Sequence, residues 1–144
     1  MTWAAASRRG DRMRCLAAGI FFLALSASAV AQDAGRVAAG EGAWDKAGCP
    51  QCHGASGEGG AGGESAAGPS LRKTLLNRAA LVETISCGRP DTQMPAWLDG
   101  AYTETPCYAL PKGPVPGSID ATPVLSADEI QALVDYLMAK IVGK

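Results

Sequence analysis

Cys49-Pro50-Gln51-Cys52-His53 constrains this chain more than any other stretch. Two thiols three positions apart can each add to one vinyl group of a haem, while the imidazole that follows reaches the iron from the same side. That spelling is the signature of c-type haem attachment. His53 is the only histidine in the chain. A second protein ligand to such an iron must therefore come from another residue type, and methionine is the obvious candidate. Two other chemistries fit the same five residues. Cys49, Cys52 and His53 could supply three ligands of a structural zinc, with Cys87 or Cys107 as the fourth. The cysteines could also form a thioredoxin-like dithiol, but that needs strands alternating with helices, and no period-two apolar pattern stands out. Neither alternative accounts for the export signal and the methionine loop described below.

Residues 1–31 read as a cleavable signal. Arg8, Arg9, Arg12 and Arg14 form a basic start, residues 16–30 are apolar and uncharged, and Ala29-Val30-Ala31 fits small-x-small cleavage before Gln32. The apolar run falls short of the ~20 residues that usually span a bilayer. Arg8-Arg9 lacks the apolar pair of a twin-arginine signal, and Cys15 precedes the apolar run and leaves with the signal. Export to a periplasm is expected, the compartment where haem is attached and disulfides persist. The mature chain, 32–144, keeps nine basic and thirteen acidic residues, a net charge of −4. An acidic protein of this kind argues against nucleic acid and for a basic patch on a redox partner. Both phenylalanines fall in the signal, which leaves two tryptophans and three tyrosines. So thin a core is expected to be completed by the haem, with the haem-free chain largely unfolded.

Along the mature chain, Asp33 is placed to cap a helix from about Ala34 to Lys46, with Val37, Gly40, Trp44 and Ala47 on one face and Gly48 at its end. A helical glycine costs about 1 kcal/mol against alanine. Close approach of another helix would account for Gly40. Ser126-Ala127-Asp128-Glu129 is a capping box, and Ile130, Leu133, Val134, Leu137 and Ile141 form an apolar stripe behind it. The two terminal helices are expected to pack together, with Trp44 and Tyr136 meeting at the crossing. Between the haem motif and Pro69 lies a loop with seven glycines among residues 54–68, which excludes helix or packed strand. Asn77 caps a short helix from Arg78 to Ile85, with Leu81, Val82 and Ile85 turned inward. Gly88, Pro90 and Asp91 open the next loop, and Pro95 biases Met94 towards an extended conformation. Met138, at helical spacing from Val134 and Ile141, reads as a core gap-filler. Met94 is left as the candidate iron ligand.

Taken in order, Gly40 and Trp44, Cys49 to Gly54, Gly68-Pro69-Ser70-Leu71, Met94-Pro95-Ala96-Trp97 and Asp135-Tyr136-Leu137 resemble a class I cytochrome c across residues 34–144. The pentapeptide is highly specific and the other motifs are individually weak. The resemblance implies an all-α cytochrome c fold, small helices and long irregular loops wrapped around one covalently attached haem c. It implies that Cys49 and Cys52 carry the haem, that His53 and Met94 are the axial ligands, and that the carbonyl of Pro69 accepts a hydrogen bond from His53. With both axial positions filled, the expected activity is one-electron transfer, not catalysis. Such a carrier runs between a periplasmic dehydrogenase or membrane redox complex and another cytochrome or an oxidase. It is a monomer with transient partners, without stable membrane insertion once the signal is gone. The alternative is a five-coordinate or labile-ligand haem c with peroxidase-like or gas-binding activity, although no second histidine or acid-base pair marks a distal site.

Residues 98–125 depart from the compact family pattern. This insertion holds five of the nine prolines and Cys107. It is expected to be extended, non-helical and surface-lying, with Tyr102 and Tyr108 as candidate partner contacts or as a cover for the porphyrin. With Cys49 and Cys52 taken by haem, Cys87 and Cys107 remain as a pair in an oxidising compartment, and a disulfide between them is expected to pin the insertion beside the Met94 loop.

Overall fold

The computed structural model describes residues 33–60 and 67–144. The expected signal, its cleavage site and Cys15 lie outside the described residues. Nearly all of the described residues fall in one compact unit, Arg36–Lys144.

Residues 33–46 are helical (α1), and Asp33 is already inside the helix, not its cap. At the other end the glycine works as expected. Gly48 takes φ +70°, its N–H reaches Asp45 O at 3.0 Å and the Cys49 N–H reaches Trp44 O at 3.2 Å. This crossed pair of bonds is a Schellman ending, and it delivers Cys49 directly to the one-turn helix α2, Pro50–His53, with Pro50 in its first turn. Helix α3, Arg78–Cys87, is capped by Asn77, whose side chain accepts from Ala80 N–H at 3.0 Å. It runs two residues beyond the expected end and buries Leu81, Ile85, Ser86 and Cys87. Helix α4, Ala127–Tyr136, starts on a complete capping box: Glu129 N–H donates to Ser126 Oγ, and Ser126 N–H donates to Glu129 Oε2.

The apolar stripe of α4 is the centre of the core, and Ile130, Leu133, Val134, Leu137 and Ile141 are all buried. Helix α1 crosses it at Gly40, where an added Cβ would lie 2.6 Å from the Ala132 carbonyl carbon and 2.7 Å from Tyr136 Cβ. Trp44 and Tyr136 meet there, with ring centroids 6.2 Å apart. Asp135 ties three helices together at the surface, accepting from Arg36 at 2.8 Å and from Arg78. Burial raises the Asp135 pKa, and the two guanidinium groups outweigh it, so the carboxyl ends below its ordinary range.

Beyond Tyr136 the chain widens into a π-helical turn, Leu137–Ile141, closed by Val142 N–H on Leu137 O at 2.8 Å. The wide turn rotates the chain off its α-helical course. Met138, on the flank of the apolar stripe, is 43% exposed and does not fill the core as its spacing suggests.

The frame is helical, with one addition that the all-α expectation lacks. Ala96–Leu98 (β1) and Ala121–Leu125 (β2) pair in parallel, with Ala96 opposite Ala121 and Leu98 opposite Leu125. Two steps on β1 face four on β2, so the register slips inside this short ribbon. Parallel strands need a crossover of a dozen residues or more, and the proline-rich insertion supplies it. The insertion is not merely surface-lying. Ala101, Tyr102, Cys107 and Ile119 are buried within it.

Candidate functional site

Helix α2 presents three side chains in one turn. Cys49 and Cys52 are free thiols, not bonded to each other, and His53 is buried between Trp44 and the glycine loop. Burial pushes the Cys49 thiol up to about 12. A thiol held protonated in this way is the opposite of the low-pKa nucleophile of a dithiol oxidoreductase.

The loop after α2 is built around His53. Nδ1 of the imidazole lies 2.9 Å from the carbonyl oxygen of Pro69, so this nitrogen carries the proton and donates. The other ring nitrogen, Nε2, makes no hydrogen bond among the described residues. Backbone bonds fix the surrounding loop: Gly59 N–H to His53 O at 2.7 Å, Gly68 N–H to Cys52 O at 2.8 Å, and Leu71 N–H to Gly57 O at 2.9 Å. Gly68 also has a steric role. A Cβ there would lie 2.8 Å from His53 Nδ1 and 2.9 Å from Cε1, so only glycine lets the backbone pass beside the ring. Gly57 likewise lies flat against Ile141 of the closing helix.

Met94 sits on a separate loop, half-buried against the core. Its backbone is held at both ends, with N–H on Thr92 Oγ1 at 3.2 Å and the carbonyl accepting from Arg89 N–H at 3.0 Å. No hydrogen bond or ring contact joins it to His53 among the described residues. Pro69 is brought to His53; Met94 remains on its own loop.

Cys87 and Cys107 form a disulfide with Cα atoms 5.7 Å apart. This removes the fourth ligand from the zinc reading. Among the described residues no group of three or more His, Cys, Asp or Glu could hold a metal ion. Tyr102, considered for partner contact, is only 3% exposed and its hydroxyl donates to Cys87 O at 3.1 Å, so it cannot serve as a docking contact. Tyr108 is more open, yet its hydroxyl is also turned inward, onto Gly88 O. Sequence reasoning missed the close approaches at Gly68 and Gly88. Both are glycines at ends of motifs, which is the one signal that could have marked them.

Whether these residues fit a haem c can be judged on the donor set itself. Two unbonded thiols and an imidazole with a free Nε2 are the groups that attachment and iron ligation require. Trp44 and Trp97 each bury an indole N–H that has no partner among the described residues. Buried donors are rarely left so, and haem propionates are acceptors of the missing kind. The residues fit.

No curated protein and no solved structure matches the chain at a significant level. Residues 35–110, just over half of the chain, match the family described as cytochrome c oxidase, cbb3-type, subunit III. That span contains the haem motif, Pro69, Met94 and both disulfide cysteines. With a c-type attachment motif inside the matched span, the match makes this chain a member of that c-type cytochrome family, whose proteins carry haem c and transfer electrons.

Proposed function

We propose that this chain is an exported monohaem carrier of the cytochrome c fold, with His53 and Met94 as axial ligands, passing single electrons between periplasmic redox proteins. The observation that carries this reading is the orientation of His53. A carbonyl 2.9 Å from Nδ1 selects the tautomer whose Nε2 lone pair is available to a metal. A haem bound here supplies one reversible electron at its iron.

The residues of the chain do the rest. Cys49 and Cys52 hold the group covalently, and the Pro69 carbonyl keeps the imidazole from rotating and raises its basicity. Met94 offers a soft thioether that favours the ferrous state. Trp44, itself buried, packs 6.4 Å from the His53 ring and helps to keep water from the imidazole. The family description names an oxidase subunit, which supports a redox complex as partner, and the net charge of −4 beyond residue 31 supports a basic docking patch on it.

The test is the visible spectrum of protein matured in an exporting host, oxidised and reduced. The weak band near the red end that reports sulfur on ferric iron is expected in the wild type, absent in Met94→Ala and retained in Met138→Ala. A haem protein without that band, binding carbon monoxide readily when reduced, would instead be an open-site haem. A colourless protein would overturn the reading altogether.

A further inference from the structure

The Met94 loop is seated on a platform that the insertion holds in place. Gly88, at φ +69°, lies so close under the loop that a Cβ there would be 2.7 Å from both Pro95 C and Ala96 N, and 2.8 Å from Met94 O. Where the Cys87–Gly88 segment goes, the backbone of Met94 to Ala96 must follow. Three attachments from residues 102–108 converge on those two residues. The Tyr102 hydroxyl donates to Cys87 O at 3.1 Å, the Tyr108 hydroxyl donates to Gly88 O, and Cys107 is bonded to Cys87. The Tyr108 N–H also donates to Glu83 Oε1 at 2.9 Å, which fixes this residue on α3.

The backbone adopts unfavourable conformations where these contacts are made. Tyr102 has φ +65° and Tyr108 φ +53°. Bulky residues are genuine outliers in this region and persist only where the surroundings over-determine them. Here they aim two phenols from one insertion at two consecutive carbonyls. Neither carbonyl needs a phenol merely to end α3, because carbonyls at a helix end are ordinarily satisfied by water or local turns.

We propose that Tyr102 and Tyr108 are positioning residues for the axial thioether: by clamping the Cys87–Gly88 platform they hold the Met94 loop closed and set how readily sulfur is displaced from iron. The insertion is then a brace on the sixth ligand. This rests on Met94 being that ligand.

The experiment measures imidazole binding to the ferric, haem-loaded protein, read as loss of the sulfur band, in wild type, Tyr102→Phe, Tyr108→Phe and the double variant. Each substitution keeps the ring and removes the hydroxyl that reaches the platform carbonyl. Imidazole is expected to bind about three- to tenfold more tightly in each single variant, the span that one lost hydrogen bond represents, and more tightly again in the double. Asp135→Asn, which weakens two surface ion pairs far from the loop in sequence, controls for general destabilisation and is expected to bind imidazole as wild type does. If the tyrosine variants match wild type, or if Asp135→Asn tightens binding as much as they do, the brace is refuted. If Tyr102→Phe does not accumulate, the more exposed Tyr108→Phe decides alone by the same criterion. Met94→Ala separates the two levels. A sulfur band that persists in it removes the ligand reading, whereas its loss there with unchanged imidazole binding in the tyrosine variants removes only the brace.

Discussion

Gly40 and Gly42 stand two positions apart in α1, and only one of them is closed in. A Cβ at Gly40 would run into the Ala132 carbonyl carbon at 2.6 Å and Tyr136 Cβ at 2.7 Å; at Gly42 nothing lies within 4 Å. Alanine gains about 1 kcal/mol over glycine in a helix interior. At Gly42 that gain is unopposed, so Gly42→Ala is expected to raise stability by about 0.5–1 kcal/mol. At Gly40 the clash is with backbone, which moves only if the two helices part. Overpacking of this sort costs about 1–3 kcal/mol or more and outweighs propensity. Gly40→Ala is therefore expected to lose about 2 kcal/mol net. Denaturant melts of the two haem-loaded variants check the pair, and equal shifts of the same sign would show that the helix crossing is looser than described.

At the scale of the element, α4 owes its start to Glu129. Its pKa falls from 4.5 to about 2, chiefly because Lys46 Nζ lies 2.7 Å from its carboxylate and also because the Ser126 N–H donates to it. A carboxyl whose pKa is depressed on folding contributes stability that is complete above its unfolded value, near 4.5, and is lost as pH falls towards 2. The pair is exposed, so solvent screening reduces the contribution to about 0.5–1 kcal/mol. Glu129→Gln is expected to be less stable than wild type by that amount at pH 6, with the difference vanishing near pH 2. A difference that stayed constant over this range would assign the effect to helix capping by the neutral amide, not to charge. This cap was readable in the sequence because every partner lies within four residues, and the same holds for Asn77, the Gly48 ending and the haem motif itself. The β1–β2 ribbon was not. Ala96-Trp97-Leu98 is too short to show alternation, and β2 contains Pro123 and exposes every residue but Leu125, so tertiary pairing, not local pattern, makes it a strand. Met138 lies on the flank of the α4 stripe, where helical spacing alone does not decide between core and solvent. Tyr102 was misplaced because proline content signals irregular backbone and says nothing of burial.

Across the whole molecule the core is small. Of the twenty buried apolar residues described, five are alanines, and Leu75 stands fully exposed. A domain of this size hides only about 60–65% of the surface that its unfolded chain exposes, while ordering each residue costs about 1–2 kcal/mol of backbone entropy. The Cys87–Cys107 disulfide closes a loop of about twenty residues, for which the chain-entropy account gives about 3 kcal/mol. That offsets the ordering of only a few residues. The porphyrin proposed to attach at Cys49 and Cys52 would add a large apolar body tied to α2, so much of the folding free energy is expected to come with it. The exported variant Cys49→Ala/Cys52→Ala keeps the disulfide and loses the attachment. Purified free of haem, it is expected to show a weakened helical signal in far-UV dichroism and no cooperative melt, whereas the haem-loaded wild type unfolds in one transition. A cooperative melt of the variant within a few degrees of wild type would mean that the α1–α4 crossing and the disulfide are sufficient, and that the haem enters a fold already made.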